Sequence, residues 1–253
     1  GKRMEKKGCE TMDIRVVLTP GDPLPGDRDG WLVVDLLRAT SQIATFFDGG
    51  GQVLLPVETL EEARSLKERL GAGWLLMGER ESLPPEGFDA GNSPLELLRL
   101  PQKARLRGVL TTTNGTRALL TALASGGRVF ASCARNARAA ARAVRETGDR
   151  LGILCAGLKG GLSWEDGLCA GLLVERLLEE EPRGATLDEG AELVRRAYRA
   201  GAGDFASGVL ASEHARRLLD LGLGGDVAFC CEVDAGVSVP ELTRWEGLPA
   251  FTG

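Results

Sequence analysis

Hydrophobic positions along this chain form short apolar runs, separated by longer segments in which apolar residues recur every three or four positions. The apolar runs WLVVDLLRA, QVLLPV, WLLMGER and LGILCAG are typical of strands buried in a largely parallel sheet. The intervening segments EEARSLKERL and ARAAARAVRET have the period of amphipathic helices. The alternation of these two patterns predicts an α/β fold.

A second regularity is that a β-α-β-α-β unit occurs twice. When the Gly-Gly pair before QVLLPV is aligned with the pair before RVFASC, VVDLLRATSQIATFFDGGGQVLLPV lies over VLTTTNGTRALLTALASGGRVFASC without a gap. Asp35 then falls on Thr111, and Arg38 falls on Asn114. Because identity between the copies is low, the duplication is inferred from hydrophobic pattern and glycine position. The predicted units are one domain over residues 13–253 and, within it, structural halves at 13–107 and 108–253.

The stretch from Val109 to Leu123 has the pattern of a buried strand that ends in a polar elbow and opens a helix. Residues 111–115 supply hydroxyls, an amide and a glycine, and Thr116 is a candidate N-cap. A helix N-terminus carries unpaired N–H groups and partial positive charge, so these groups and Arg117 can converge on one anion. The pattern favours a phosphate site, although an ordinary capped turn has the same residues.

Asp35 interrupts the otherwise apolar run from Trp31 to Leu37. It stands at the carboxyl end of a predicted buried strand, where α/β proteins place their active sites. A buried carboxylate without a partner is costly, so Asp35 requires a metal ion, a cation or a capping role. A metal ligand or nucleophile is the functional interpretation, and an ion pair with Arg38 is the structural one.

Polar residues also follow the predicted strand WLLMGER. The strand ends in Glu79 and Arg80, and the long loop ESLPPEGFDAGNSPLELL comes next with Asn92 and Ser93. Ser93 and the proline after it predict the N-cap and first residue of a helix. Loops of this length in compact domains either line a site or only connect two elements.

Further candidates lie later in the chain. Asn136 stands just inside another predicted helix start. Ser163 can cap the helix that follows a glycine-rich turn, and Glu165 and Asp166 lie in its first turn, where paired acids suit either the helix dipole or a magnesium ion.

The segment ASGVLASEHARRLLDLGLGGDVAFCCEVD predicts a helix, then a capping Asp226 and a last strand in AFCCEV. His214, on this predicted helix, is the only histidine, and it is either a structural residue or an acid–base group, because imidazole has an unperturbed pKa near neutral. Cys155 ends a buried strand pattern, which disfavours it as a nucleophile.

Composition narrows the classes of partner. The formal net charge is −5 and aromatic residues make up 5% of the chain, which argues against a nucleic-acid surface. No apolar run reaches the roughly 18 residues that a membrane span requires. The start GKRMEKKGCETM is charged rather than apolar, so we expect no secretory signal and a cytoplasmic protein. Residues 1–12 are expected to be disordered or foreign to the native protein.

The cysteines show no spacing typical of zinc sites. Most of the six lie in apolar strand or helix patterns, so we expect buried free thiols. A homodimer is expected only from the general frequency of such assemblies among compact enzymes.

Several motifs together resemble the 2-phosphosulfolactate phosphatase family, known as ComB. They are VVDLLRATS, MGERE followed by GFDAGNSPLE, TTTNGTRAL, RNARAAA, CAG followed by LSWEDGLCAG, and SEHARRLLDLGLGGDV. The resemblance runs from Leu32 to Asp226 and implies a three-layer α/β/α sandwich. It also implies a magnesium-dependent phosphatase that hydrolyses (2R)-2-phospho-3-sulfolactate to (2R)-3-sulfolactate and phosphate, on a route to coenzyme M or free sulfolactate. The chain departs from the expected pattern at Ala215, where a glycine is expected, and in the SCAR segment before Asn136.

Phosphoryl transfer depends mainly on positioning and charge neutralisation, which the polar strand ends can supply. We expect Mg²⁺ to be held by Asp35 and Glu79 with one or both of Glu165 and Asp166. The expected catalytic residues are Asp35, Arg38, Asn114 and Arg117. The expected residues for binding the small anionic phosphomonoester are Arg80, Asn92, Ser93, Thr113, Gly115, Thr116 and Asn136.

Two questions stay open at the level of sequence. Either water attacks the phosphorus directly, or Asp35 first forms an aspartyl-phosphate. The alternative functions are a phosphatase of another small 2-phospho acid and a non-catalytic module that binds a phosphorylated metabolite.

Overall fold

The computed structural model describes residues 11–201 and 203–253. Most of the predicted N-terminal segment 1–12 lies outside these residues, and Met12 is the first residue of β1. The strands of the described chain join in one ten-stranded sheet. They are β1 (Met12–Val17), β2 (Gly30–Val34), β3 (Val53–Pro56), β4 (Leu75–Gly78), β5 (Arg107–Thr111), β6 (Arg128–Ser132), β7 (Arg150–Cys155), β8 (Ala185–Leu187), β9 (Glu241–Trp245) and β10 (Leu248–Thr252).

Helices connect most of the strands and cover the sheet. They are α1 (Ala39–Asp48), α2 (Leu60–Leu70), α3 (Pro94–Arg99), α4 (Gly115–Ser125), α5 (Ala137–Arg145), α6 (Trp164–Glu179), α7 (Glu189–Ala200), α8 (Phe205–Leu210), α9 (Glu213–Asp220) and α10 (Gly224–Cys230), with a short 3-10 helix at Gln102–Arg105. No helix in the described part of the chain combines the length and apolar character that crossing a membrane requires.

Two predicted helix starts are confirmed and one is wrong. Ser93 accepts a hydrogen bond from the N–H of Glu96 at the start of α3, and Ser163 accepts one from the N–H of Asp166 at the start of α6. Helix α4, in contrast, begins before the predicted N-cap Thr116, which lies in its first turn. The hydroxyl of Thr112 accepts from the Thr116 N–H at 3.1 Å, so the capping bond comes from the preceding loop.

The two copies of the repeated unit exchange their first strands. The sheet order is β4-β5-β3-β10-β9-β6-β2-β7-β1-β8. The first strand of one copy, β2, lies parallel between β6 and β7 of the other copy. In the same way, β5 lies parallel between β3 and β4. The segments 13–107 and 108–253 therefore share one interleaved sheet, with the mirrored strand order that a duplicated unit gives.

The C-terminal segment joins these two groups of parallel strands. The sequence VSVPELTRWEGLPAFTG indicates a loosely ordered surface tail, and this prediction is wrong. Strands β9 and β10 form an antiparallel hairpin whose turn has positive φ at Glu246 and Gly247, as a two-residue hairpin turn requires. The hairpin pairs antiparallel with β3 on one side and β6 on the other, and Phe251 is fully buried. The predicted last strand in AFCCEV is instead the end of α10.

The antiparallel hairpin makes the β3-β5-β4 group run opposite to the β6-β2-β7 group. The strand-to-strand twist of a sheet, about 20–25° at each step, accumulates over the intervening strands. The residues that follow the carboxyl ends of β2 and β5 lie close together, although other strands separate β2 and β5 in the sheet.

Helices cover both faces of the sheet, which confirms the three-layer α/β/α fold. On β2, Leu32 and Val34 pack in one core cluster with α5 and α6, whereas Trp31 and Val33 pack in a second cluster with α1 and α4. Leu110 of β5 joins that second cluster. Helices α1 and α4 therefore lie against both groups of strands, and their N-termini come from the two elbows that follow β2 and β5.

Candidate active site

Loops at the carboxyl ends of β2, β4, β5 and β7 border a cleft that the start of α9 also lines. The cleft has a volume of about 700 Å³, including space open to solvent at its mouth. The described residues that line it are Asp35, Leu37, Arg38, Glu79, Glu81, Ser82, Asn92, Thr113, Asn114, Leu158, Lys159, Glu213, His214 and Arg217. The polar strand ends identified in the sequence therefore meet in one place.

Asp35 lies at the base of this cleft, directly after β2. Its backbone is fixed by Thr40, whose hydroxyl bonds both the N–H and the carbonyl oxygen of Asp35 at 2.9 Å. Burial raises the pKa of the Asp35 carboxyl to about 7. The charge of His214 lowers this pKa, and the carboxylates of Glu79 and Glu165 raise it. Asp35 is thus an acid in a negative environment, which a bound cation would neutralise.

The first turn of α4 packs directly against Asp35. A Cβ atom on Gly115 would lie 2.7 Å from Oδ2 of Asp35 and 2.4 Å from Cβ of Ala39, so no larger residue fits without movement. The two strand-to-helix elbows therefore touch each other. The positive end of the α4 dipole faces the carboxylate and the cleft in front of it.

Glu79 joins the loops after β4 and β5. Its Oε1 accepts a hydrogen bond from the N–H of Thr113 at 2.6 Å, and its Oε2 accepts one from the N–H of Ser82 at 2.9 Å. Asn114, next in the second loop, accepts from the N–H of Lys159 at 3.2 Å. These contacts fix three cleft loops relative to one another.

His214 and Glu165 form a polar pair on the far side of Asp35. Nδ1 of His214 lies 3.2 Å from Oε1 of Glu165. Burial acts to raise the pKa of Glu165, but the hydrogen bond and charge of His214 outweigh it and the net pKa is lowered. Glu165 is therefore an anion that fixes the orientation of the histidine ring. The sequence left His214 open between a structural and a chemical role, and the structure places it in the cleft.

Asp166 lies beneath the cleft, and its carboxylate accepts hydrogen bonds from backbone N–H groups. Its Oδ1 accepts from the N–H of Leu36 at 2.9 Å, and its Oδ2 accepts from the N–H of Gly157 at 3.2 Å. Burial, followed by the charges of Asp35 and Glu165, raises the pKa of Asp166 well above its usual value. Asp166 thereby ties the strand ends of β2 and β7 together beside Asp35.

Arg38 is buried at the cleft wall and is held by Asp226, a residue that the sequence indicated only as a helix cap. Nη1 of Arg38 lies 3.0 Å from Oδ2 of Asp226, and Nη2 donates to the carbonyl oxygen of Ser82 at 2.8 Å. Asn92 is also buried in the wall. Its Oδ1 atom has no hydrogen-bond partner within the described chain, which leaves an unused acceptor beside the cleft.

Eight of the sequence-predicted site residues lie outside the cleft-lining set. Gly115 and Thr116 are in the first turn of α4, Glu165 and Asp166 lie behind Asp35, and the other four are Arg80, Ser93, Arg117 and Asn136. Arg117 is exposed and pairs with Glu58 at 3.0 Å, whereas Arg80 donates to the carbonyl oxygens of Glu58 and Glu79. Ser93 caps α3. Asn136 is fully buried, where its side chain bonds only backbone groups and the Cys133 thiol. The structure thus gives these side chains positions in loops, caps and ion pairs around the site.

The acidic residues fit a magnesium ion held by few protein ligands. Among residues 11–201 and 203–253, no three His, Cys, Asp or Glu side chains converge as a ready-made metal cage. Mg²⁺ usually retains several waters and uses one or two carboxylates together with substrate phosphate, so it does not need such a cage. Asp35 and Glu79 line the cleft, and Glu165 adds negative charge behind them. Asp166 is occupied by backbone N–H groups, and burial raises its pKa.

Comparison with known proteins identifies the family of this chain. The sequence profile of the 2-phosphosulpholactate phosphatase family matches residues 22–244. A protein of Thermotoga petrophila named a probable 2-phosphosulfolactate phosphatase is 37% identical over 91% of this chain and 96% of its own length. Proteins with the same name from Thermus thermophilus and Pseudothermotoga lettingae are 37% and 36% identical, over 91% and 83% of this chain and 94% and 87% of their own lengths. The chain therefore belongs to the 2-phosphosulfolactate phosphatase family.

Proposed function

We propose that this chain is a magnesium-dependent phosphatase that hydrolyses (2R)-2-phospho-3-sulfolactate to (2R)-3-sulfolactate and inorganic phosphate. The observation that carries the proposal is the contact between the two elbows, where Gly115 of α4 packs on the Asp35 carboxylate. Asp35, as a metal ligand, and the N-terminus of α4, as an anion-binding site, can then contact the same phosphate group. The relatives are named as probable 2-phosphosulfolactate phosphatases, which supports this substrate.

Asp35 and Glu79 are the residues that would hold the magnesium ion. When bound, the ion supplies positive charge against the phosphate oxygens and activates water near it. Glu79 keeps its two backbone hydrogen bonds to the loops after β4 and β5, so those loops are positioned together with the acid. These two hydrogen bonds hold the Glu79 carboxylate at a fixed position relative to the first turn of α4.

The phosphate group is expected to lie at the N-terminus of α4. Asn114, at the N-cap, and the first-turn N–H groups that Thr112 does not occupy provide donors, and Gly115 lets this turn pack directly against Asp35. Asn92 contributes a buried amide whose oxygen has no protein partner. That oxygen accepts a hydrogen bond from a protonated group or bound water of the complex.

His214 is expected to donate a proton to the leaving alkoxide of sulfolactate. Because Nδ1 is paired with Glu165, the other ring nitrogen is the one that serves the substrate. The Glu165 carboxylate stabilises the protonated ring, as the acid of a catalytic triad does. Arg38 holds Ser82 and the loop after β4 against the cleft.

A phosphate-release assay over a panel of phosphorylated hydroxy acids tests the proposal. The panel contains 2-phospho-3-sulfolactate, 2-phospholactate, 2-phosphoglycolate and 3-phosphoglycerate, each with Mg²⁺ and with EDTA. We expect the highest kcat/KM for 2-phospho-3-sulfolactate and none of the turnover to survive EDTA. Preferred turnover of another 2-phospho acid would overturn the substrate, and tight binding without turnover would indicate a non-catalytic binding module.

The proposal includes a reducing, cytoplasmic setting and a place on a route to coenzyme M or free sulfolactate. All described cysteines are free, and free thiols persist in reducing compartments. These cysteines are Cys133, Cys155, Cys169, Cys230 and Cys231. A homodimer remains a prediction that size-exclusion chromatography with light scattering can check.

A further inference from the structure

Two cationic side chains at the mouth of the cleft have no part in the function argued so far. Lys159 comes from the loop between β7 and α6, and Arg217 comes from α9. The third cation of the cleft, Arg38, is engaged in its buried pair with Asp226. Lys159 and Arg217 are 72% and 48% exposed, so an incoming ligand can reach both.

Lys159 is held in place by a tight turn that has a counterpart across the cleft. The turns at residues 158–161 and 80–83 each close with a reciprocal pair of backbone hydrogen bonds. In both, the two central residues have positive φ, beginning with Lys159 at 51° and Glu81 at 52°. This is the geometry of a type I′ turn, which fixes the direction of its central side chains. The turns follow β7 and β4, the third strands of the two copies.

Glu81 therefore faces both cations. Its Oε2 lies 4.0 Å from Nζ of Lys159 and 3.7 Å from Nη2 of Arg217. Arg217 also donates to the carbonyl oxygen of Glu81 at 2.9 Å, which holds the guanidinium beside the turn. The carboxylate distances exceed those of good hydrogen bonds, and exposed ion pairs of this kind contribute little net stability. A better anion can displace the Glu81 side chain.

We infer that Lys159 and Arg217 form the subsite for the sulfonate of the substrate, and that the Glu81 carboxylate occupies this subsite in the free protein. The inference rests on the proposed function. His214 and Arg217 are three residues apart on α9, so their side chains emerge from neighbouring points about 5–6 Å apart on one helix face. Phosphate and sulfonate stand on adjacent carbons of the substrate. One group fits at Asp35 and His214, and the other reaches the mouth of the cleft.

The test compares 2-phospho-3-sulfolactate with 2-phospholactate, which keeps the phosphate and carboxylate but has a methyl group in place of the sulfonate-bearing carbon. We expect Arg217→Gln and Lys159→Gln each to lower kcat/KM for the sulfonated substrate by about ten- to a hundredfold, as lost charged hydrogen bonds do. The loss on 2-phospholactate is expected to be at least fivefold smaller. Glu81→Gln is expected to lower KM for the sulfonated substrate several-fold. Arg216→Gln, on the neighbouring exposed position of α9, is the matched control and is expected to leave both values unchanged.

Equal losses on both substrates in the Arg217 and Lys159 variants would overturn the inference, because the two cations would then serve a group that both substrates share. Absence of turnover with every substrate would instead refute the proposed function. In that case calorimetric titration with 3-sulfolactate and lactate decides about the subsite. Tighter binding of 3-sulfolactate that is lost in Arg217→Gln supports it, and equal or absent binding overturns it.

Discussion

The buried pair between Arg38 and Asp226 allows a stability effect to be separated from a catalytic one. The two side chains are 3% and 2% exposed, and their charged atoms lie 3.0 Å apart. Asp226 also accepts a hydrogen bond from the hydroxyl of Ser93 at 2.9 Å, so it joins α10, α3 and the loop that precedes α1. Removing either charge leaves the other buried without its partner.

Such a loss costs about 3–5 kcal/mol of unfolding free energy. For a domain of this size each kcal/mol lowers Tm by about 2–4 °C, so Arg38→Met or Asp226→Asn should lower Tm by roughly 6–20 °C. The double variant Arg38→Met/Asp226→Leu removes both charges together. Its destabilisation should be smaller than the sum of the single losses, because apolar pairs often replace buried ion pairs at little cost.

Urea denaturation of the wild type, both single variants and the double variant measures this coupling, and phosphate release measures activity. We expect the double variant to recover stability but to remain impaired in activity, because Arg38 no longer holds Ser82 at the cleft. Arg128→Met is the matched control, since its pair with Glu241 is largely exposed and worth about 0–1 kcal/mol. Wild-type stability in the single variants would show that the buried pair is not needed for stability, and wild-type activity in the double variant would show that Arg38 does not position Ser82.

Three further predictions test other parts of the site. Gly115→Ala should reduce kcat/KM by more than about a hundredfold, because the added Cβ atom would meet the Asp35 carboxylate. Gly167→Ala is the control and should retain activity, because the nearest atom to its added Cβ is 3.9 Å away. Equal rates in the two variants would contradict the elbow contact. His214→Asn should lower kcat for 2-phospho-3-sulfolactate by about 10²- to 10⁴-fold. The loss on p-nitrophenyl phosphate should be much smaller, because its leaving group needs no general acid. Equal losses on the two substrates would exclude proton donation by His214. Iodoacetamide should leave native Cys155 unlabelled and activity intact, because burial raises the pKa of this thiol well above its usual value; labelling with loss of activity would contradict this.

Local sequence patterns were sufficient to predict most of the strands, several of the helices and the acids of the site. Asp35 interrupts an apolar strand pattern. A buried carboxylate loses its hydration, so it indicates a cation, a metal ion or hydrogen-bond donors nearby. The elbow before Arg117 was recognisable as a helix start, because an apolar strand pattern is followed there by hydroxyl residues and a glycine. Chemistry of this kind is local, so it can be recognised without the fold.

The arrangement of the sheet could not be read in the same way. The C-terminal hairpin gains its stability by pairing with β3 and β6, which are far away in the sequence. Its insertion reverses one group of strands relative to the other, and the contact between Asp35 and Gly115 depends on this long-range arrangement. For the same reason Arg117 could not be placed: it is in the first turn of α4, but its side chain points to Glu58 and away from the cleft set.

The mouth of the cleft was also beyond the sequence patterns. Lys159 and Glu81 lie in loops, and nothing in their own segments indicates that two turns of the same type face each other. The spacing of His214 and Arg217 on one predicted helix was the available signal. It acquires meaning only when α9 is known to line the cleft.

We propose that Asp35 and the α4 elbow act on one phosphate together with a magnesium ion. Phosphate release from 2-phospho-3-sulfolactate by wild type and Asp35→Asn at saturating Mg²⁺ tests this directly, with circular dichroism to confirm that both proteins are folded. We expect rapid release by the wild type and a loss of more than about a thousandfold in the folded variant. Comparable rates in the two proteins would contradict it.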